Sequence, residues 1–354
     1  MLDDFGFLRQ SETEIPDHLS KLFLKYCDEN TSLVLLTAFS EVESNENFRK
    51  ALYSLHFHDT QSIADIGYID CGLDSDKKKE TIRVLGADLL KLFPTVIFMS
   101  DDDSLQSEWY SAYGKTEQLC ALCDIRSYLE LTPESNFTKI STSSPNYLYH
   151  YALLGTETYY NSGETLNLID QLGFSNVRLG NLRGNASVSE PLLRNSDFVS
   201  INTNVLKASE LLNNQISPNG LYVEELCQIA HYIGLSDQNN LLVVCHEFDL
   251  DSLALRMLSQ LFWCYTESYS KRCGDYPVSS FKTYRQFTVL IDNQEEELIF
   301  LQSNISGRWW LKAPKGIKNK TNNKRHALIP CNFEDYETAK EGVLPDCWWT
   351  EVVR

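Results

Sequence analysis

Short apolar runs alternate with longer amphipathic stretches over the first three-quarters of the chain. The runs occupy 32–39, 64–71, 95–100, 118–124, 146–155, 176–180, 197–202 and 241–247. Several carry polar residues only at their ends, the pattern of strands buried on both faces of a parallel sheet. The stretches between them have helical periodicity. Residues 77–93 place Ile82, Leu85, Leu89, Leu90 and Phe93 near one face, and 163–172 repeat the pattern with Leu166, Ile169 and Leu172. Residues 223–232 and 252–268 predict two more helices. The alternation predicts an α/β domain over residues 1–275, its mainly parallel eight-stranded sheet sandwiched between two helix layers.

After residue 275 the pattern changes. Phe287, Val289 and Ile291, then Leu298 and Phe300, alternate around the polar stretch 292–295, which is a hairpin signal. Residues 276–354 are therefore expected to form a small, mostly β appendage. Between 301 and 333 there is no acid, but Arg308, Lys312, Lys315, Lys318, Lys320, Lys324 and Arg325 are present. Tryptophan pairs flank the stretch as Trp309-Trp310 and Trp348-Trp349.

Composition narrows the function classes. The 354 residues are 43 % hydrophobic and carry a net charge of −18, so with the seven tail cations set aside the rest stands at −25. That balance argues against broad binding to duplex nucleic acid or an anionic membrane. No apolar run reaches the ~18 residues a membrane span needs. The start, Met1-Leu2-Asp3-Asp4-Phe5, lacks the basic and apolar regions of a secretory signal. Ten cysteines scattered through apolar segments fit reduced thiols in a cytoplasmic protein.

Ligands of parallel α/β sheets collect at the carboxyl ends of strands. Four such ends carry polar groups: Asp101 to Asp103, Asp124 with Arg126, Asn202 with Asn204, and Glu247 with Asp249. Together they can line a cleft, although N-capping and loop solvation also account for the aspartate triplet. Cys120-Ala-Leu-Cys123 lacks partners at zinc spacing and sits inside a strand, so two packed cysteines are expected. His56 and His58 have no partner motif, and His150 and His231 are solitary. His246 and Glu247 are adjacent on a strand, so only one of them can face a given site. Neither a phosphate-binding glycine loop nor a GxSxG elbow is present.

The segment Ser217-Pro-Asn-Gly-Leu-Tyr-Val-Glu-Glu-Leu-Cys-Gln-Ile-Ala-His-Tyr-Ile-Gly-Leu-Ser-Asp237 resembles the one after the metal-binding strand of ureohydrolases. These are the arginases, agmatinases and formimidoylglutamases, and a bacterial formimidoylglutamase-like subgroup is the most similar. Val199-Ser-Ile-Asn-Thr-Asn204 stands where that family has its SxDxD motif. Residues 146–160, Val177-Arg-Leu-Gly180, Arg308-Trp-Trp310 and Arg325-His-Ala-Leu-Ile-Pro-Cys331 also resemble the subgroup. The resemblance implies a three-layer α/β/α fold and a binuclear manganese site built from two His and four Asp, whose bridging hydroxide attacks a guanidinium or formimino carbon.

The departures change the expected function. No His lies between Met99 and Gln106, where the first motif places one. Aligned on Cys120, Leu122 and Asp124, the DxHxD motif keeps only its last Asp, and SxDxD has become Asn202 and Asn204. Glu247 stands where the family has an acidic substrate-pairing residue. Neutral amides and a leucine cannot hold two dications, so loss of manganese and of turnover is expected. The relic pocket is then Cys120, Leu122, Asp124, Asn202, Asn204 and Glu247. The expected role is a non-catalytic pseudoenzyme that serves as a scaffold or protein-interaction module. Its contact surface would be Arg308, Trp309, Trp310, Lys312, Lys324, Arg325, Trp348 and Trp349, unless the tryptophans pack the appendage internally. A second reading is metal-independent binding or hydrolysis of a small guanidino or formimino compound. A third, nucleic-acid or anionic-partner binding through the basic tail, is disfavoured by the acidic remainder.

Overall fold

The apolar runs become strands because both of their faces find cover. The computed structural model describes residues 7–20, 22–58, 62–211, 217–275, 284–291, 297–313 and 328–353. Its main sheet comprises β1 (Leu8–Arg9), β2 (Phe23–Leu24), β3 (Thr31–Ala38), β4 (Ser62–Ile69), β5 (Thr95–Ser100), β6 (Cys120–Ile125), β7 (Leu148–Thr156), β8 (Ser175–Arg178), β9 (Phe198–Asn202) and β10 (Leu241–Cys245). The order is β1-β4-β3-β5-β10-β9-β6-β7-β8, with β2 also paired to β4. All pairings are parallel except β1 on β4. The eight expected strands are β3 to β10. The sheet has ten strands because two dipeptides, too short to leave a periodic signal, pair with β4.

Alternate residues of β3 enter opposite layers. Leu33 and Leu35 join the apolar cluster under α1 (Val42–Tyr53), α6 (Leu179–Gly184), α7 (Glu190–Arg194), α8 (Ala208–Leu211), α9 (Val223–Gly234) and α10 (Ser252–Tyr269). Val34 and Leu36 join the cluster under α2 (Ser75–Leu92), α3 (Leu105–Gly114), α4 (Asn136–Ser141) and α5 (Gly163–Gln171). Helix starts are set by side-chain caps: Asp74, Ser135, Ser162 and Asp251 each accept a hydrogen bond from a backbone N–H of the first turn. No described helix is long and apolar enough to cross a membrane.

The appendage is a second, antiparallel sheet of β11 (Tyr284–Val289), β12 (Leu298–Ser303), β13 (Trp309–Lys312) and β14 (Leu328–Cys331). Helices α11 (Phe333–Lys340) and α12 (Asp346–Val353) complete it. The expected hairpin is the β11–β12 pair, and its polar stretch 292–295 lies outside the described residues.

The tryptophans of β13 follow the strand's alternation. Trp309 stacks on Tyr336 at 5.0 Å, in an apolar cluster that also holds Leu311 and half-buried Trp348. Trp310 points the other way, is wholly buried, and lies 4.4 Å from the guanidinium of Arg194 on α7. Arg308 reaches the same seam, pairing with Glu190 at 3.2 Å and donating to the Leu235 carbonyl at 3.1 Å. Arg194 in turn donates to the Cys331 carbonyl at 2.9 Å.

Arg308, Trp309 and Trp310 therefore do not form an exposed surface. Aromatic area and a cation fasten the appendage to the body instead. Lys312 is half-buried on β13, Trp349 is 50 % exposed, and Lys324 and Arg325 lie outside the described residues. Substituting Arg308→Ala leaves Glu190 with Arg194 at 3.3 Å and removes the guanidinium that stands 3.9 Å from buried Asp275. It is expected to cost about 1–3 kcal/mol and to speed limited proteolysis between the two sheets, measured against wild type by time-resolved digestion.

Candidate functional site

The four polar strand ends are neighbours, because β5, β10, β9 and β6 are consecutive in the sheet. Above them lies a cleft of about 560 Å³ lined by Asp101, Asp102, Asp103, Arg126, Tyr128, Asn136, Asn202, Asn204 and Glu247 among others. Parallel register sets the depth of each group. Asp124 is level with Ser200, and Cys245 with Asn202, so Arg126 and Glu247 emerge just above.

Arg126 sits at the centre of this arrangement. Its guanidinium makes two 3.1 Å bonds to the oxygens of Asp103, and its Nε lies 2.7 Å from Asp124 Oδ2. Gln106 accepts a further bond at 2.9 Å. The arginine is only 6 % exposed. Burial alone would favour losing the proton, but Asp103 and Asp124 outweigh it and hold the guanidinium firmly charged. Burial likewise pushes the Asp103 carboxyl up, but Arg126, Asn202 and Asn136 reverse that and leave it below the usual range. Asp124, wholly buried, also accepts from Tyr151 Oη at 2.6 Å.

The two asparagines complete the network. Asn202 Nδ2 donates to Asp103 at 2.9 Å and to Glu247 at 2.7 Å, holding two carboxylates apart. Its Oδ1 accepts from the Asn204 N–H, and Asn204 Oδ1 accepts from the Ser127 N–H. Loss of water around Glu247 raises its carboxyl more than the Asn202 bond lowers it, and the Asp103 charge adds to the rise. His246 turns into the core, with its Nδ1 2.8 Å from Thr203 Oγ1, so Glu247 is the one that faces the cleft.

Not all of the expected pocket lies here. Cys120 opens β6 and is buried with Leu122 in the cluster under α2 to α5, while Cys123 packs on the opposite face. Neither Cys120 nor Leu122 reaches the cleft, because both lie too early on the strand. At the same spacing, Asp124 lies buried near the end of β6, and Arg126 and Tyr128, just beyond it, line the cleft. All ten cysteines are free thiols. Of the aspartate triplet, Asp101 and Asp102 accept from the backbone of Ser40 and Ser104, and only Asp103 joins the network.

The donor set does not suit a pair of dications. Both Asp103 oxygens are engaged by the guanidinium, both amide oxygens accept backbone N–H groups, and Asn202 turns its NH₂ to the cleft. A dication 4 Å from the Arg126 charge would meet repulsion of about 8 kcal/mol at an effective dielectric of ~20. No group of three or more metal-ligating side chains occurs among the described residues.

A sheet ordered this way, under a cleft at its central strand ends, has solved counterparts. Formimidoylglutamase from Bacillus subtilis is 17 % identical with a TM-score of 0.61, covering 77 % of this chain and 99 % of its own. The chain has the ureohydrolase fold. Trypanosoma cruzi formiminoglutamase with Mn²⁺₂ is 13 % identical with a TM-score of 0.64, covering 73 % of this chain and 100 % of its own. Proclavaminate amidino hydrolase from Streptomyces clavuligerus is 13 % identical with a TM-score of 0.60, covering 74 % and 99 %. No family model and no curated protein matches.

Proposed function

We propose that this ureohydrolase-fold chain is a non-catalytic pseudoenzyme in which an internal cation has replaced the binuclear manganese. The observation that carries this reading is Arg126, whose guanidinium consumes Asp103 and Asp124. In this reading the DxHxD positions are Asp124, Arg126 and Tyr128, the SxDxD positions are Asn202 and Asn204, and Asp103 stands for the histidine of the first motif. Without that metal there is no hydroxide to attack a guanidino or formimino carbon, and the protein serves as a scaffold or binding module. Trp349 and Phe333, each 50 % exposed on the appendage, are the aromatic anchors a protein partner would meet.

The test is metal retention with turnover. After incubation with Mn²⁺ and desalting, the protein is expected to keep well below one manganese per chain and to release no urea, ammonia or formamide from arginine, agmatine or N-formimino-glutamate. Stoichiometric retention together with release overturns the reading.

The cleft supports a second reading, binding of a small cationic ligand without turnover. Its lining carries Asp101, Asp102, Glu130, Glu134 and Glu247 against a single arginine that is already paired. Agmatine is expected to raise the melting temperature at millimolar concentration, and Glu247→Ala to abolish the shift. An unchanged melting curve removes this second reading and leaves the first standing.

A further inference from the structure

A second cavity opens at the same end of the sheet but above its edge, where β7 and β8 finish. It measures about 470 Å³ and is lined by Glu157, Tyr159, Arg178, Gly180, Arg183 and Asn219 among others. We propose that this cavity binds a small organic dianion, a dicarboxylate or a phosphate compound, between the guanidinium groups of Arg178 and Arg183.

Three features point to that chemistry. Arg178 donates to Thr158 Oγ1 and has no carboxylate within 4.0 Å among the described residues. Arg183 has one carboxylate at the limit of that range, Glu225 at 3.9 Å, and rests over the Tyr222 ring at 5.0 Å. Two such forks on a body whose charge is otherwise strongly negative are a local exception that selects anions. Tyr159, 62 % exposed and packed edge-on to Tyr160 at 4.7 Å, supplies an apolar wall for a carbon skeleton. Asn219 fixes the Tyr159 hydroxyl from the other side at 3.3 Å.

The one carboxyl in the cavity is Glu157, 4 % exposed, which accepts from Ser217 Oγ at 3.3 Å. Burial raises it above the usual carboxylate range, against the opposing Ser217 bond. A dianion is repelled by its ionised form, whereas a zwitterion would be attracted, so this side chain distinguishes the two occupants. The cavity is linked to the first site through Ser127. Ser127 accepts from the Glu157 N–H at 2.9 Å and donates its own N–H to Asn204 at 3.2 Å.

The experiment is isothermal titration calorimetry of the full chain with pyrophosphate and with succinate at fixed ionic strength. At least one is expected to bind, and the tighter of the two assigns the phosphate or carboxylate source. Arg178→Ala and Arg183→Ala are each expected to weaken binding at least about tenfold. Glu157→Gln, which keeps the Ser217 contact, is expected to strengthen it. Gly180→Leu is expected to block it, since a Cβ there meets nothing within 4 Å and a larger chain fills the cavity without displacing protein atoms. The last two variants keep the test valid if an arginine variant fails to fold. Absence of heat with both anions at millimolar concentration overturns the proposal, as does binding unchanged by both arginine substitutions. Weakened binding in Glu157→Gln also overturns it, because a dianion held between the two arginines gains when the neighbouring carboxylate is removed.

Discussion

Arg126→Met is expected to lower folding stability by about 3–5 kcal/mol, read as a reduced urea midpoint at neutral pH with the slope unchanged. The size follows from what the substitution leaves behind. Asp124 is wholly buried and keeps only the Tyr151 hydroxyl, with its second oxygen lacking a hydrogen-bond partner. Asp103 keeps Asn202 and Asn136 but loses both charged bonds. Two buried carboxylates then stand without a cation, and desolvation dominates. An exposed pair gives the scale: Arg83 and Glu80 have side chains 41 % and 64 % exposed, and breaking that bond alone is worth ~0–1 kcal/mol. Arg126→Lys is expected to fall between, because one ammonium cannot fork across Asp103 while reaching Asp124.

The same variant should reverse the sign of a pH effect. In wild type the Asp103 carboxyl lies below the usual range. Its contribution is therefore complete above the unfolded value of ~3.9 and is lost as pH falls toward the native value. Without Arg126, burial lifts the carboxyl above the unfolded value. The folded variant then holds the proton more tightly, and its deficit relative to wild type shrinks as pH is lowered from 7.5 to 5.5. Midpoints at those two pH values decide the matter. A deficit independent of pH would mean that lost packing, and not stranded charge, explains the instability.

Much of this architecture was legible in the sequence, for a physical reason. A strand buried on both faces must be apolar throughout, so β3 to β10 announce themselves, and the polar residues ending β5, β6, β9 and β10 mark the site. The dipeptide strands β1 and β2 left no such trace, since pairing at an edge needs no pattern. The motif register was harder. Positions 120, 122, 124 and 124, 126, 128 have the same spacing and share Asp124, and only the point where β6 stops decides which set reaches the cleft. Arg126 reads as one of the polar groups at the strand ends, and its pairing with two aspartates is set only when the fold brings Asp103 against it. A lone arginine two residues beyond a buried strand aspartate was the available signal. For the tryptophans, alternation predicts opposite faces for Trp309 and Trp310, but not that α7 covers one of them with Arg194.

If Arg126 is what excludes manganese, restoring the acidic ligands alone should fail. A variant carrying Asp103→His, Tyr128→Asp, Asn202→Asp and Asn204→Asp, with Arg126 retained, is expected to hold no Mn²⁺ after gel filtration. Adding Arg126→His is expected to bring retention to about two ions per chain. The first variant adds carboxylates around a fixed positive charge that still occupies the middle of the donor set. The second exchanges that charge for an imidazole lone pair and presents four carboxylates and two histidines, a donor chemistry suited to manganese. Asn202→Asp also replaces the NH₂ that now donates to Glu247 with a carboxylate, so the metal-free five-fold variant should be unstable through carboxylate repulsion. Its stability should therefore rise with added Mn²⁺, by about 4 kcal/mol at a thousandfold excess over Kd. Elemental analysis gives the stoichiometry, and thermal melts with and without Mn²⁺ give the linkage. Retention of manganese by wild type or by the four-fold variant would sink the account. Equal emptiness of the five-fold variant, if it folds, would show that the backbone geometry of these strand ends, and not the arginine, is the barrier.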